Sequence, residues 1–168
     1  YYYRTFSIFS SYKKIVTLKF NLMKKNKSII VYSILTYFSL CAYFLIIDSL
    51  GLADKTYLRL FNGVIVLAFM NHLIKSNIKK NITGYFENFS AAFISSGIAI
   101  ILSGISLIIF LSFKDIDYVH NISDGLLLVS AGTASHIGGA ILIEGLASAM
   151  MFSFISMQYW KGVKMKES

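Results

Sequence analysis

The stretch that decides the fold is Ala91–Phe113, AAFISSGIAIILSGISLIIFLSF, a run of 23 residues without a charged side chain. An α-helix needs about 20 mainly apolar residues to cross the hydrocarbon layer of a bilayer. This run meets that length and therefore predicts a transmembrane helix. The composition points the same way, because 56% of the 168 residues are hydrophobic and 14% are charged, whereas soluble domains carry about 45–50% and about 25%.

Three further apolar runs lie on either side of this stretch. Ser28–Ile47 contains no charge, and Ile137–Tyr159 is interrupted only by Glu144. Leu58–Ile74 is the least apolar of them and carries Arg59 near its start. The sequence thus predicts an all-α fold, a polytopic membrane protein whose four-transmembrane-helix bundle occupies residues 23–161. The predicted helices cover about 28–47, 58–74, 91–113 and 137–159.

The basic residues are distributed unevenly between the flanks of these runs. Of the 16 Lys and Arg residues, 13 lie before the first run, between the second and third, or after the fourth, where residues 162–168 form a basic tail. The other two connections hold Lys55, Arg59 and Lys114 beside five aspartates. Cytoplasmic loops of membrane proteins carry the excess of Lys and Arg, so both termini are predicted to be cytoplasmic. The net charge of +8 then belongs to membrane flanks, and no nucleic-acid partner is expected.

Two segments leave alternatives open. Residues 1–22 are rich in Tyr, Phe and Lys, and Met23 follows them directly. They are either an interfacial amphipathic segment or the product of a start site assigned too early. Residues 114–135 begin polar and acidic and then turn apolar, so they form a loop, a re-entrant piece or an extension of the fourth helix.

Small and hydroxyl residues recur at helical spacing, which predicts the faces on which the helices pack. Leucine gains nothing by leaving lipid tails, so helix association in lipid depends on close approach and hydrogen bonds. On the first helix, Tyr32, Thr36, Ser39 and Tyr43 line one face and are expected to bond to neighbouring helices. The packing stripes of the third and fourth helices comprise Ala92, Ser96, Ala99, Ser103 and Ser106, and Gly138, Gly145, Ala149 and Ser156.

Glu144 is the main candidate for a functional residue. An ionisable side chain within a membrane span is energetically costly and usually marks a functional or paired group. Arg59 enters from the same side as Glu144 and is its expected partner, and Asn62 could hydrogen-bond to the same carboxyl group. The alternative interpretation is a carboxylate that binds a proton or a cation, with its pKa raised by desolvation.

Recognisable catalytic and metal-binding motifs are missing from the sequence. Cys41 is the only cysteine, and the three histidines do not occur at metal-binding spacings. The sequence contains neither a glycine-rich phosphate loop nor a nucleophile elbow. We therefore expect no enzymatic activity, no metal and no cofactor.

The segment Leu58-Arg59-Leu60-Phe61-Asn62, the basic stretch 75–80 and the aromatic-rich segment Gly84–Phe93 together resemble an uncharacterised four-helix integral membrane family. This family, a domain of unknown function, is common in Bacteroidota. The stretch Glu144–Ser148 is similar to its last helix, and the resemblance covers about residues 23–161. It implies a location in the bacterial inner membrane and carries no activity with it.

These features predict an integral inner-membrane protein that acts as a non-catalytic accessory or assembly bundle in a membrane complex. Its expected partners are the lipid bilayer and either further copies of itself or other subunits. The alternative function is a small transporter or channel that uses Glu144 as an intramembrane proton-binding or cation-binding carboxylate.

Overall fold

The computed structural model describes residues 2–53, 55–115, 118–119 and 133–164. Side chains are described from Asn26 onward, except at positions 56, 134 and 162–164. Within these ranges the fold is all-helical. Its four long helices are α1 (Tyr2–Ser49), α2 (Thr56–Lys79), α3 (Tyr85–Ser112) and α4 (Ala134–Lys164).

Each helix contains a segment that is long and apolar enough to cross a membrane, which confirms the prediction of four such helices. The mean hydropathy of the most apolar window is 2.4 in α3 and 1.4 in α2. Leu58–Ile74 is therefore the weakest run, as the sequence predicts, and the strongest lies in α3.

The helices are longer than the apolar runs. The basic stretch 75–80 was expected to lie in a loop, but α2 continues through it to Lys79. Lysine favours helix almost as well as leucine, so a helix does not have to end where its apolar residues end. The stop comes instead at Asn81, whose φ of 61° is left-handed and cannot continue a right-handed helix.

Two other expectations concern the chain flanks. Residues 2–27 continue as helix into the first apolar run, so α1 joins the basic aromatic segment to the predicted span. Most of 114–135 lies outside the described residues; within that stretch, Tyr118 and Val119 are helical and Val119 is buried. The end of the basic tail, residues 165–168, also lies outside the described part of the chain.

The helices alternate in direction. Lys80, directly after α2, contacts Ser28 on α1, whereas Tyr43 on α1 contacts Leu58 on α2, so these two helices are antiparallel. One end of the bundle, here named the basic end, is where α1 passes Ser28, α2 and α4 finish and α3 begins. The opposite end is named the far end. Helices α2 and α3 each pack against all three others, and α1 and α4 lie at opposite corners.

Large apolar side chains cover the outside of the bundle. Phe38, Leu60, Phe86 and Ile143 are each more than 60% exposed, one on every helix. In the most apolar windows of the four spans, only 22–39% of the residues are buried inside the bundle. A surface this apolar exceeds what monomeric soluble proteins expose and suits contact with lipid. The four helices thus suggest a multi-pass membrane protein.

Candidate functional site between α2 and α4

The interface between α3 and α4 is built from glycines that receive aliphatic side chains. A Cβ atom at Gly138 would overlap the side chain of Ile108, and one at Gly145 would lie 2.9 Å from Ile100 Cγ2. In the reverse direction, Leu142 on α4 occupies the space over Gly104 on α3. Close backbone approach of this kind is the usual basis of helix association in lipid.

The predicted packing stripes lie on buried or half-buried faces of these helices. On α3, Ala92, Ser96 and Ala99 are buried, while Ser103 and Ser106 are half-buried. On α4, Gly138, Ala149 and Ser156 are buried and Gly145 is half-buried. The aliphatic residues that fill the glycine positions are ones that sequence periodicity does not pick out.

Hydroxyl groups join α1 to its neighbours. Ser33 Oγ donates to Ser95 Oγ on α3 at 3.2 Å, and Tyr37 Oη lies 2.9 Å from Ser106 Oγ. Tyr43 Oη donates to the carbonyl oxygen of Leu58 on α2 at 2.8 Å, as expected of that residue. Thr36 was expected to bond to a neighbouring helix, but its hydroxyl donates to the Tyr32 carbonyl within α1. The helix's own carbonyl one turn back is a nearer acceptor for a threonine.

Polar contacts also connect α2 to α4, and they fix the register of these two parallel helices. Trp160 Nε1 donates to Asn71 Oδ1 at 3.0 Å, and Ser153 Oγ approaches Met70 Sδ at 3.8 Å. Contacting residues therefore differ by 83 to 89 in number. Arg59 and Glu144 differ by 85, which places them at the same level of this interface.

Arg59 and Glu144 are brought together as the sequence predicts. Both side chains are half-buried, and the guanidinium group lies within electrostatic range of the carboxylate. The Oε1 atom of Glu144 is buried and accepts no hydrogen bond. One oxygen of the Glu144 carboxyl group is thus buried at this interface without a hydrogen-bond donor.

Asn62 does not form the hydrogen bond that was expected of it. Its Oδ1 atom is buried without a partner, as is Glu144 Oε1. Asn62 thus contributes a buried polar group near the Arg59–Glu144 level without contacting the carboxyl group.

Two buried asparagines at the basic end were missed by the sequence analysis. Asn77 is completely buried, and its side-chain Nδ2 and Oδ1 have no partners. Its main-chain oxygen accepts from the N–H groups of Lys80 and Ile82, at 2.9 and 3.0 Å. Asn88 is also buried, and its Nδ2 donates to the carbonyls of Ile82 and Gly84. The turn between α2 and α3 is therefore stabilised by hydrogen bonds to Asn77 of α2 and to Asn88 of α3.

A second missed cluster ties α1 to the end of α3 at the far end. Tyr118 Oη donates to Asp48 Oδ1 at 2.5 Å, and Lys114 Nζ lies 3.6 Å from Asp48 Oδ2. The same ammonium group sits 4.8 Å from the ring centroids of Phe110 and Tyr118. Burial, followed by the hydrogen bond to Asp48 and its charge, raises the pKa of Tyr118 well above its usual range.

Neither cluster has the composition of a metal centre. Among the described residues, no three His, Cys, Asp or Glu side chains group together. His120, Asp117 and Asp124 fall outside the described ranges. The described polar groups at the α2–α4 interface place opposite charges near each other and form hydrogen bonds between the two helices.

Comparison with known proteins adds no assignment. No family model, no curated protein and no solved structure matches this chain.

Proposed function

We propose that the protein spans the bacterial inner membrane four times with both termini in the cytoplasm. Its role there is that of a non-catalytic accessory or assembly bundle. The proposal about orientation rests on the charge distribution, since the exposed Lys27, Lys75, Lys79 and Lys161 all lie at the basic end. Lys and Arg accumulate on the cytoplasmic side of membrane proteins.

The observation that carries the structural role is how the bundle uses its polar side chains. Ser33–Ser95, Tyr37–Ser106 and Asn71–Trp160 each join two different helices. Together with the glycine contacts between α3 and α4, these bonds use the interior side chains for contacts between helices. The apolar outer face then remains for lipid, a second copy or other membrane subunits.

Orientation is tested by labelling with a thiol reagent that does not cross membranes. In a Cys41→Ser background, Lys114→Cys is expected to react in intact cells, and Lys79→Cys only after lysis. The two positions are matched because both are exposed lysines next to a helix end. The reverse pattern, or labelling of both in intact cells, contradicts the proposed topology.

The accessory role predicts a stable assembly. Native mass spectrometry after mild detergent extraction should find the chain with further copies of itself or with another membrane subunit. A chain that is monomeric and without bound protein at its native expression level contradicts this role.

A second candidate function is favoured by the buried Oε1 of Glu144, which accepts no hydrogen bond and lies on the same level as Arg59. In this alternative, Glu144 takes up and releases a proton or cation during transport. Proton and ion flux into proteoliposomes should then fall strongly in Glu144→Gln. Ser148→Ala, one turn further along α4, serves as the control. Equal flux in native protein and Glu144→Gln excludes the transport role of this residue.

A further inference from the structure

The basic end of the bundle carries a concentrated positive charge. Four exposed lysines, here named the lysine patch, lie on the last turns of α2, directly after α2 and on α1 next to Ser28: Lys75, Lys79, Lys80 and Lys27. Lys161 on α4 is exposed at the same end. The described acidic residue at this end is Glu87 in the first turn of α3. The lysines therefore exceed the nearby carboxylates by a wide margin.

One lysine of the patch, Lys80, is held by a neutral hydrogen-bond partner, so its charge is not neutralised there. Lys80 Nζ donates to Ser28 Oγ at 2.5 Å, which fixes this ammonium group over the boundary between α1 and α2. The chain direction after Lys80 is set by Asn77 and Asn88, whose hydrogen bonds hold the turn at Ile82. A site whose charged groups are already ordered loses less entropy on binding.

We propose that the lysine patch binds the phosphate headgroups of anionic phospholipids in the leaflet next to it. Anionic lipids attract basic segments next to membrane spans, at about 1 kcal/mol for each Lys or Arg near the surface. This inference rests on the proposed membrane placement and adds a specific lipid class to it. Neutral headgroups offer no net negative charge to the patch.

Trp160 makes the proposal measurable, because it is the only tryptophan in the chain and its indole bonds to Asn71, toward the basic end of α2. Its Nε1 donates to Asn71, which lies four residues before Lys75 and thus on the same side of α2. Bromine on a lipid chain quenches tryptophan fluorescence at short range. Trp160 therefore reports which lipids lie next to this part of the bundle.

In the experiment, the native chain is reconstituted into vesicles of phosphatidylglycerol and phosphatidylcholine in which one of the two is brominated. A preference of about fivefold or more for phosphatidylglycerol near Trp160 is expected, the equivalent of about one lysine contact. The preference should fall as salt is raised, because salt screens exposed charges. Added inorganic phosphate at matched ionic strength should have no further effect, since the proposed ligand is the headgroup in the leaflet.

Two double variants test which lysines cause the lipid preference. Lys75→Gln with Lys79→Gln removes two of the four patch lysines and should clearly lower the preference, and it leaves the Lys80–Ser28 contact in place. Lys55→Gln with Lys114→Gln removes two lysines at the far end and should leave the preference unchanged. Equal quenching by both lipids in the native chain, or an equal loss in both double variants, overturns the proposal. Because both leaflets have the same composition, an error in the proposed orientation does not change this result.

Discussion

The α3–α4 and α2–α4 interfaces are held together by different kinds of contact. Between α3 and α4, aliphatic side chains fill the space left by glycines, as Leu142 does over Gly104. Between α2 and α4, polar groups meet, with Asn71 bonded to Trp160 and Arg59 within electrostatic range of Glu144. In lipid, where apolar surface gains nothing from burial, these are the two available sources of association.

This difference predicts which of the two interfaces tolerates amino-acid substitutions better. Glycine contacts depend on volume and fail when a single methyl group is added. Polar contacts depend on pairing, so each contributes little when a replacement partner is within reach. We therefore expect substitutions at the α3–α4 interface to have larger effects than those at the α2–α4 interface.

The largest effect is expected for Gly138→Ala. Its new Cβ would overlap the side chain of Ile108, and overpacking of this kind costs about 1–3 kcal/mol. The measurement is the free energy of unfolding in detergent mixtures. Gly139→Ala is the control, because a Cβ there meets nothing within 4 Å. It should be neutral or stabilising by about 0.5–1 kcal/mol, since alanine favours helix over glycine. Equal destabilisation by both variants would contradict the glycine packing.

The next effect concerns the charged pair of the α2–α4 interface. Removing Arg59 takes a nearby positive charge from Glu144, and removing Glu144 takes a nearby negative charge from Arg59, so the double variant should lose less than the sum of the two single variants. We expect a coupling of about 1–2 kcal/mol between Arg59→Ala and Glu144→Ala in the same unfolding measurement. Strict additivity would show that the two groups do not interact.

A smaller coupling is expected between Asn71 and Trp160. Hydrogen bonds between membrane helices are worth about 0.6 kcal/mol on average in double-mutant cycles. The cycle of Asn71→Ala and Trp160→Phe, followed by circular dichroism, isolates this bond from the loss of indole packing. A coupling as large as the effect of Gly138→Ala would reverse the ranking of the two interfaces.

The smallest effect concerns pH at the far end. Because the pKa of Tyr118 is raised, the neutral phenol is favoured in the folded chain. Its contribution to stability is complete below the ordinary tyrosine pKa of about 10 and is lost as the pH rises through the higher folded value. Subtracting the ultraviolet titration of Tyr118→Phe from that of the native chain gives the midpoint of Tyr118. Asp48→Asn should move this midpoint down, and an unchanged midpoint would contradict the Asp48 contact.

The two interfaces also differ in how far the sequence predicts them. The four apolar helices and the small-residue stripes follow from composition and helical spacing, and the stripe residues Ala92, Ala99 and Ala149 are indeed buried. Which large residue fills each glycine position depends on the crossing of the helices, and periodicity does not determine it. The match between Gly138 and Ile108 therefore needed the structure.

Polar groups were harder to predict. Charge alone indicated that Arg59 and Glu144 belong together, because each is costly in a membrane span without the other. The role of Asn77 was hidden because the basic stretch around it suggested a loop. The sequence did contain one signal for a longer helix. Met70, Ile74 and Asn77 follow a helical spacing that continues past the end of the second apolar run. The Asp48–Tyr118 contact joins residues 70 positions apart, a distance in sequence at which local patterns carry no information.

The short turn between α2 and α3 has a consequence for how the chain enters the proposed bilayer. Only Lys80–Gly84 separates the two helices, so they form a helical hairpin. The weakest span, with a mean hydropathy of 1.4, is thereby tied to the strongest, at 2.4. We expect the translocation machinery to insert α2 and α3 as a pair. The apolar α3 would then help α2, which is too polar to enter the bilayer efficiently alone.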